Sequence, residues 1–174
     1  MRFSVSEILN HLRVDRRGAT ATEFAIVALP FFMMVAGMVE TGYVAFTAAV
    51  MEGATREAAR QVRTGVVQGA ADAATRFEEE FCPNLMGLFA CKDFYFDVRT
   101  FPDFAAIVLP QPTFDAAGIP TDLQFNPGGA STVTTVRVIH VHTFMTPLIG
   151  TLMGGSSQTL PLISTTVLRT EPFE

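Results

Sequence analysis

One uncharged apolar run near the N-terminus limits what this chain can fold into. Residues 24–39 contain no charged side chain, and after Glu40 the apolar character resumes as far as Met51. A helix needs about 20 such residues to cross a bilayer. In a soluble protein, a helix that is apolar on every side must be buried by other residues. The rest of so short a chain is too small to bury it. The sequence therefore predicts one transmembrane helix, which we place at residues 19–51.

Composition agrees with an anchor followed by one small domain. Hydrophobic residues make up 49% of the 174 residues, charged residues only 17%, and the formal net charge is -5. The twelve basic residues form no cluster or stripe along the sequence. The electrostatic footprint of a nucleic-acid-binding protein is therefore missing, and we exclude nucleic acid as a partner.

Charges on the two sides of the span leave its orientation open. The segment of residues 1–18 carries four arginines against two acidic residues, which favours a cytoplasmic N-terminus. Arg56, Arg60 and Arg63 follow on the other side, offset only in part by acidic neighbours. Charge alone does not decide the topology.

Glu40 is the charged residue within the apolar part of the predicted span, residues 24–51. Its carboxylate either reaches the lipid headgroups or pairs with a group on a neighbouring helix. Pro30 removes one helical hydrogen bond, and Gly37 and Gly42 leave room for another helix backbone to approach. We therefore name Glu40 as a candidate subunit-docking residue, with the headgroup contact as the alternative.

The junction in front of the span resembles the cleavage site of a type IV prepilin. Residues 16–24 read RRGATATEF. In that family an aspartyl peptidase on the cytoplasmic face cuts after the glycine, and a glutamate five residues further on begins the buried helix. The resemblance implies a prepilin leader at residues 1–18, cleavage between Gly18 and Ala19, and a role for Glu23 in subunit docking. Because the cut precedes the apolar run, the anchor would be kept.

Beyond the span the sequence predicts a helical extension and then an extracytoplasmic domain. Alanine and other helix formers continue from Glu52 to Gly65, and a second helical stretch is predicted from Ala70 to Phe81. Together we interpret residues 52–81 as the helical extension. The domain follows at residues 82–174. Proline and glycine interrupt residues 102–131, which predicts a long loop.

Strand patterns within the domain favour an α+β fold. Alternating or β-branched segments predict strands, and a short apolar segment predicts a helix that begins at Pro147. The predicted strands lie at residues 94–100, 132–144 and 159–170. A long N-terminal transmembrane helix that continues into a pilin-like domain with a small antiparallel sheet is the architecture that we expect.

Cys82 and Cys91 are the two cysteines of the chain. Their spacing, around a proline and a glycine, closes easily into a small loop. In an oxidising compartment a disulfide is our first interpretation, and two unpaired buried thiols are the alternative.

No arrangement of residues predicts catalysis or a bound metal. His140 and His142 lie two apart in a predicted strand and share one face, a spacing that metal sites use, but no third ligand is evident. Neither the serines near the Gly154-Gly155 pair nor the acidic residues show a nucleophile or acid/base pattern. We expect no enzyme activity, no metal and no cofactor.

The chain as a whole resembles the TadE family of minor pseudopilins of the Tad, or Flp, pilus. Three regions carry the resemblance: the junction and span; the alanine- and arginine-rich residues 54–65; and the C-terminal portion, with FMTPLIG at residues 144–150 and LISTTVLRTEPF at residues 162–173.

This resemblance implies a function in assembly and a set of partners. A TadE-like protein is processed by the prepilin peptidase and helps to build a thin adhesive pilus with other minor pseudopilins, the major pilin and the inner-membrane assembly platform. Ala19 would become the new, methylated N-terminus. We therefore expect a single-pass protein of the bacterial inner membrane, in contact with membrane lipid, with its N-terminus cytoplasmic, its C-terminal domain periplasmic, and a place at the pilus base or tip.

A membrane-tethered binding or adhesin domain is the competing hypothesis. Residues 102–131 would then form its recognition surface. Gly18 and Glu23 discriminate the two hypotheses, because replacing either should abolish pilus assembly under the first and matter little under the second.

Overall fold

A computed structural model describes residues 18–173, so all of the predicted leader except Gly18 lies outside the described residues. The chain divides into two compact units, Met1–Val39 and Glu40–Glu174. Helix α1, Ala19–Arg63, is 45 residues long and contains Pro30. The described part of the first unit consists of Gly18 and the N-terminal part of this helix.

Apolar side chains of the first unit are exposed. Phe24 is 69% exposed and Phe32 is 61% exposed, and none of the most apolar 18-residue window of α1 is buried. Monomeric soluble proteins rarely expose so large a contiguous apolar surface. By length and composition α1 can cross a membrane, which confirms the expected long apolar helix at the N-terminus.

After α1 the chain forms two further α-helices and five strands. These elements are α2, Ala73–Phe81; β1, Phe94–Phe101; β2, Thr113–Phe114; β3, Pro120–Thr121; β4, Val133–Thr143; α3, Pro147–Gly154; and β5, Thr159–Arg169. Short 3-10 helices lie at Cys82–Leu85, Cys91–Asp93 and Gly155–Ser157. The mixed helix and strand content confirms the predicted α+β class.

The main sheet is antiparallel and has the strand order β1-β4-β5. Val98 of β1 lies opposite Val136 of the central strand, and Val138 lies opposite Ser164 of β5. β-branched residues dominate β4, which suits a strand that is covered on both faces. The register also defines two ends of the sheet, one at the pair Phe94 and His140, the other at the pair Phe101 and Val133.

The core of the second unit lies between one face of this sheet and the C-terminal part of α1. Buried residues recur on α1 at helical spacing, including Met51, Ala58 and Val62, and they cluster with Val136 and Val138 of β4. Burying one such side chain stabilises the fold by about 1.5–3 kcal/mol.

Aromatic rings of α2 fill the rest of this core. Phe77 and Phe81 are fully buried, and their ring centroids lie 5.2 and 5.0 Å from that of Phe96. Asp72 begins α2 as its N-cap, because its carboxylate accepts hydrogen bonds from the backbone N–H groups of the first turn. The cap explains why the helix begins at Ala73, three residues after the predicted start.

The predicted loop, residues 102–131, is attached to the free edge of β1. Its backbone pairs with β1 at one point, where Val98 N–H donates to the Gln124 carbonyl and Asn126 N–H donates to the Val98 carbonyl. Within the loop only the two-residue strands β2 and β3 are regular. These hydrogen bonds tie the loop to the edge of the sheet.

Candidate functional site

Gly18 immediately precedes α1 and is exposed. Its carbonyl accepts hydrogen bonds from the N–H groups of Ala21 and Thr22, both at 3.1 Å. A Cβ added to Gly18 would meet no described atom within 4 Å. The fold of the described residues therefore does not require glycine here, and a requirement for glycine would come from a partner that handles this segment.

Glu23 lies in α1, exposed, at the start of the apolar stretch. A carboxylate at the edge of hydrocarbon needs a positive partner or water. Ala19, the residue that would carry the new amino terminus, begins the same helix. The docking role of Glu23 stays a prediction, as does cleavage between Gly18 and Ala19.

Glu40 is the first residue of the second unit and is only 2% exposed. Its carboxylate accepts hydrogen bonds from two consecutive backbone N–H groups just before α3. Met145 N–H donates to Oε1, and Thr146 N–H donates to Oε2 at 3.0 Å. Hydrogen bonds to a charged acceptor are about twice as strong as neutral ones, so they offset much of the cost of burying the carboxylate.

These contacts favour a role for Glu40 inside its own unit. Sequence reasoning offered the headgroups or another subunit as its partner, whereas the partner in the structure lies 105 residues further along the chain. The subunit-docking role is a prediction that these contacts do not support. The sequence predicted a helix start at Pro147, but nothing local linked this segment to Glu40.

A cavity of about 410 Å³ lies beside Glu40 and contains both predicted strand histidines. Its lining residues include Tyr43, Asp93, Tyr95, His140, His142 and Met145. Within residues 18–173 no group of three His, Cys, Asp or Glu side chains could hold a metal ion. His140 and His142 both line this cavity.

His142 is the buried member of the pair. It is 4% exposed, and its ring lies 5.5 Å from that of Tyr43 and 5.2 Å from that of Phe144. Its Nε2 has no hydrogen-bond partner among the described residues. Burial lowers the pKa of His142, nearby His140 lowers it further, and the Glu40 carboxylate opposes both. The neutral imidazole is therefore the form that this position favours.

His140 lies at the rim of the same cavity. Its ring stacks on Phe94 at 4.8 Å, and its Nδ1 lies 2.9 Å from the Asp93 carbonyl oxygen. Both contacts fix the ring against the end of β1 without burying it fully.

Asp97 joins the sheet to the loop of residues 102–131. It lies opposite Arg137 in the register, and both side chains are almost fully buried. Its carboxylate accepts hydrogen bonds from Arg99 Nε at 2.8 Å, from Arg137 Nε at 3.1 Å and from the N–H of Gln124 at 3.1 Å. Arg137 Nη1 in turn donates to the Pro110 carbonyl at 2.7 Å.

The same contacts set the charge state of Asp97. Burial acts to raise the pKa of its carboxyl group, but the hydrogen bonds from Arg99 and Arg137, with that from Gln124, outweigh burial and lower the pKa. The ionised carboxylate is therefore a structural part of the unit. Sequence reasoning missed this network because only the register places Asp97 opposite Arg137.

Cys82 and Cys91 form a disulfide in the structure, with their Cα atoms 5.5 Å apart. The bond joins the 3-10 helix after α2 to the one that leads into β1. The predicted disulfide is thus present, and it lies within the second unit.

Comparison with known proteins gives one match. The model of the family described as TadE-like protein matches residues 18–60, a segment that begins at Gly18 and includes Glu23 and Glu40. This match confirms the resemblance over residues 18–60, and the resemblance of the C-terminal portion stays a prediction. No curated protein and no solved structure matches the chain.

Proposed function

We propose that this chain is a minor pseudopilin that acts in the assembly of a Tad, or Flp-type, pilus. Its likeness to the TadE-like family connects it with Tad pilus systems. The observation that carries the proposal is the position of Gly18. It stands at the first residue of the match and directly before a long apolar helix whose side chains are exposed, and the described fold does not need glycine there. No catalytic step is part of the proposal.

The proposed anchor is the part of α1 that precedes Glu40. From Ala19 to Val39 a helix extends about 30 Å, which equals the hydrocarbon thickness of a bilayer. Thr47 and Met51 are buried by protein in the second unit, so lipid need not cover them. We therefore place the end of the span near Val39, earlier than the boundary at Met51 that hydropathy alone predicts.

The proposed assembly begins with removal of the leader by a prepilin peptidase. The retained helix then contacts the helices of other minor pseudopilins, of the major pilin and of the inner-membrane platform. Lipid offers no hydrophobic driving force between helices, so close packing at small residues and polar contacts must supply the affinity. Glu23, at the start of the apolar stretch, would supply a charged contact to the amino terminus of a neighbouring subunit.

Replacing Gly18 tests the proposed processing. We expect Gly18→Leu to block cleavage, so that intact mass measurement of the protein from its native membrane finds the full-length chain. The wild-type protein should begin at Ala19. Gly129→Leu is the matched control, because a Cβ there also meets nothing within 4 Å and it should leave processing unchanged.

Two results would contradict this proposal. One is a wild-type protein that retains residues 1–18 in a working pilus. The other is a Gly18→Leu protein that is cleaved at the normal position. Pilus assembly, scored in the same cells, should fail with Gly18→Leu and proceed with Gly129→Leu.

The alternative function is a membrane-tethered binding or adhesin domain. Two apolar side chains in the loop of residues 102–131 favour it, since Phe104 is 57% exposed and Val108 is 74% exposed. Under this alternative the double change Phe104→Ser and Val108→Ser abolishes adhesion, whereas replacing Glu23 has little effect. Under the pseudopilin proposal Glu23→Ala prevents pilus assembly and the double change does not.

A further inference from the structure

Helix α3 and the residues just before it present a cluster of apolar side chains to solvent. Met145 is 72% exposed, Leu148 46% and Leu152 75%. The two leucines are four residues apart on α3, so they project from one side of the helix. We call these three side chains the α3 apolar surface.

No charged residue lies near the α3 apolar surface in the sequence. Residues 143–168, which include all of α3 and nearly all of β5, contain no Asp, Glu, Lys, Arg or His. A solvated surface helix normally carries charges on its outer face. A helix with an apolar outer face and no charged side chain of its own suits a medium other than water.

Glu40 is the first residue of the second unit, and it binds the backbone just before α3. Its carboxylate holds the N–H groups of Met145 and Thr146, the two residues before the helix. Glu40 also directly follows Val39, at which we place the end of the membrane span. A bilayer that contains the chain up to Val39 therefore ends close to the start of α3.

We propose that the α3 apolar surface inserts into the lipid interface on the side of the membrane where the second unit lies. The partner is the phospholipid surface itself: the side chains enter the boundary between headgroups and acyl chains, as those of interfacial helices do. The second unit then has two attachments to one membrane, the span and α3. This inference rests on the proposed membrane span. Because the surface lacks basic residues, its insertion does not depend on anionic lipid.

Single tryptophan probes test the insertion, since the chain contains no tryptophan. The full chain is placed in nanodiscs that hold one copy each, made with phosphatidylcholine brominated on its acyl chains. The probe is Leu152→Trp, with Met145→Trp as a second probe. The matched control is Phe104→Trp, an exposed aromatic position just beyond the Phe101 end of β1, opposite to the end at His140. Phe32→Trp reports the span.

Insertion predicts that brominated lipid quenches the probes at 152 and 145 at least roughly twofold more than the control at 104, and shifts their emission to the blue. Leu148→Glu added to the Leu152→Trp chain should remove most of that quenching. Adding anionic lipid should leave it unchanged.

Three results would overturn the insertion. If brominated lipid quenches the tryptophan at position 32 but not those at positions 152 and 145, the insertion of α3 is refuted and the span stands. No quenching at 32 would refute the span and this inference together. A blue shift at 152 that develops only when two copies share a nanodisc, without quenching by lipid, would assign the α3 apolar surface to a second subunit.

Discussion

Buried charged side chains hold the loop of residues 102–131 on the sheet. Removing the charge of Asp97 by Asp97→Asn would leave the buried Arg137 guanidinium without its counter-ion. Breaking a buried pair in this way costs about 3–5 kcal/mol. We expect a loss of about 3 kcal/mol in the free energy of unfolding of the second unit, measured by urea unfolding in detergent with far-ultraviolet circular dichroism.

Asp122→Asn is the control for this change. Asp122 faces the Arg99 guanidinium at 3.6 Å, but its side chain is 68% exposed. Exposed ion pairs contribute about 0–1 kcal/mol, so the control should unfold nearly as the wild type does. Equal stability of the two variants would show that the Asp97 network is not structural. The lowered pKa of Asp97 means that its contribution is present above its unfolded pKa and is lost as the pH falls through its folded pKa.

The lowered pKa of His142 predicts that the stability of the second unit also depends on pH in the range just below neutral. Its folded pKa is lowered, so the unfolded chain binds a proton at a higher pH than the folded chain does. Stability should therefore fall, by at most about 1.4 kcal/mol per pH unit, as the pH drops below about 6.5. Urea midpoints at pH 7.5 and 5.5 should differ less for His142→Phe than for the wild type. His140→Asn should keep most of the difference, and an unchanged difference in His142→Phe would contradict the assignment.

At single positions, the sequence predicted the features that local pattern determines. It did not predict which residues contact each other. The sequence predicted the start of α3 at Pro147, which the structure confirms, while the roles of Gly18 and Glu23 stay predictions. It did not predict that Glu40 contacts Met145 and Thr146, because hydrogen bonds to backbone N–H groups leave no trace in side-chain pattern. Long-range partners depend on tertiary packing.

At the scale of elements, the disulfide is a covalent crosslink between the 3-10 helix that follows α2 and the 3-10 helix that precedes β1. A loop of this length removes about 2–3 kcal/mol of chain entropy from the unfolded state. We expect the double change Cys82→Ser and Cys91→Ser to lower the free energy of unfolding by about that amount. Reducing agent should destabilise the wild type similarly and leave the double variant unaffected. Free thiols in non-reducing peptide mapping of the native protein would contradict the bond.

Secondary structure followed the sequence closely because each main element has a strong local cause. The predicted strands at residues 132–144 and 159–170 became β4 and β5 with ends shifted by one residue at most, since runs of β-branched residues determine them. The short strands β2 and β3 were not predicted. A two-residue strand is too short to show the alternation of apolar and polar residues by which strands are predicted. The pairing of β2 with β3 therefore depends on the turn between them and on the packing of the loop.

At the scale of the whole molecule, hydropathy alone does not separate the part of α1 that we propose lies in lipid from the part that packs against the sheet. Apolar residues on both sides of Glu40 read alike in the sequence, yet those before it are exposed and Thr47, Met51 and Ala54 after it are buried under the sheet. A transfer scale does not distinguish a side chain that faces lipid from one that faces a core. The packing of the second unit is the observation that supports our proposed end of the span near Val39.

Two fragments test this division of α1. A fragment of residues 40–174 contains every buried residue of α1, including Glu40, Thr47 and Met51, and should fold as a soluble unit with its disulfide. A fragment of residues 52–174 follows the boundary that hydropathy predicts. It lacks those three side chains, and truncating one large core side chain alone costs about 2–5 kcal/mol. We expect it to unfold at much lower urea or to fail to fold. If both fragments, produced in an oxidising compartment, unfold at the same urea concentration, residues 40–51 are not part of the domain and the span extends to Met51 after all.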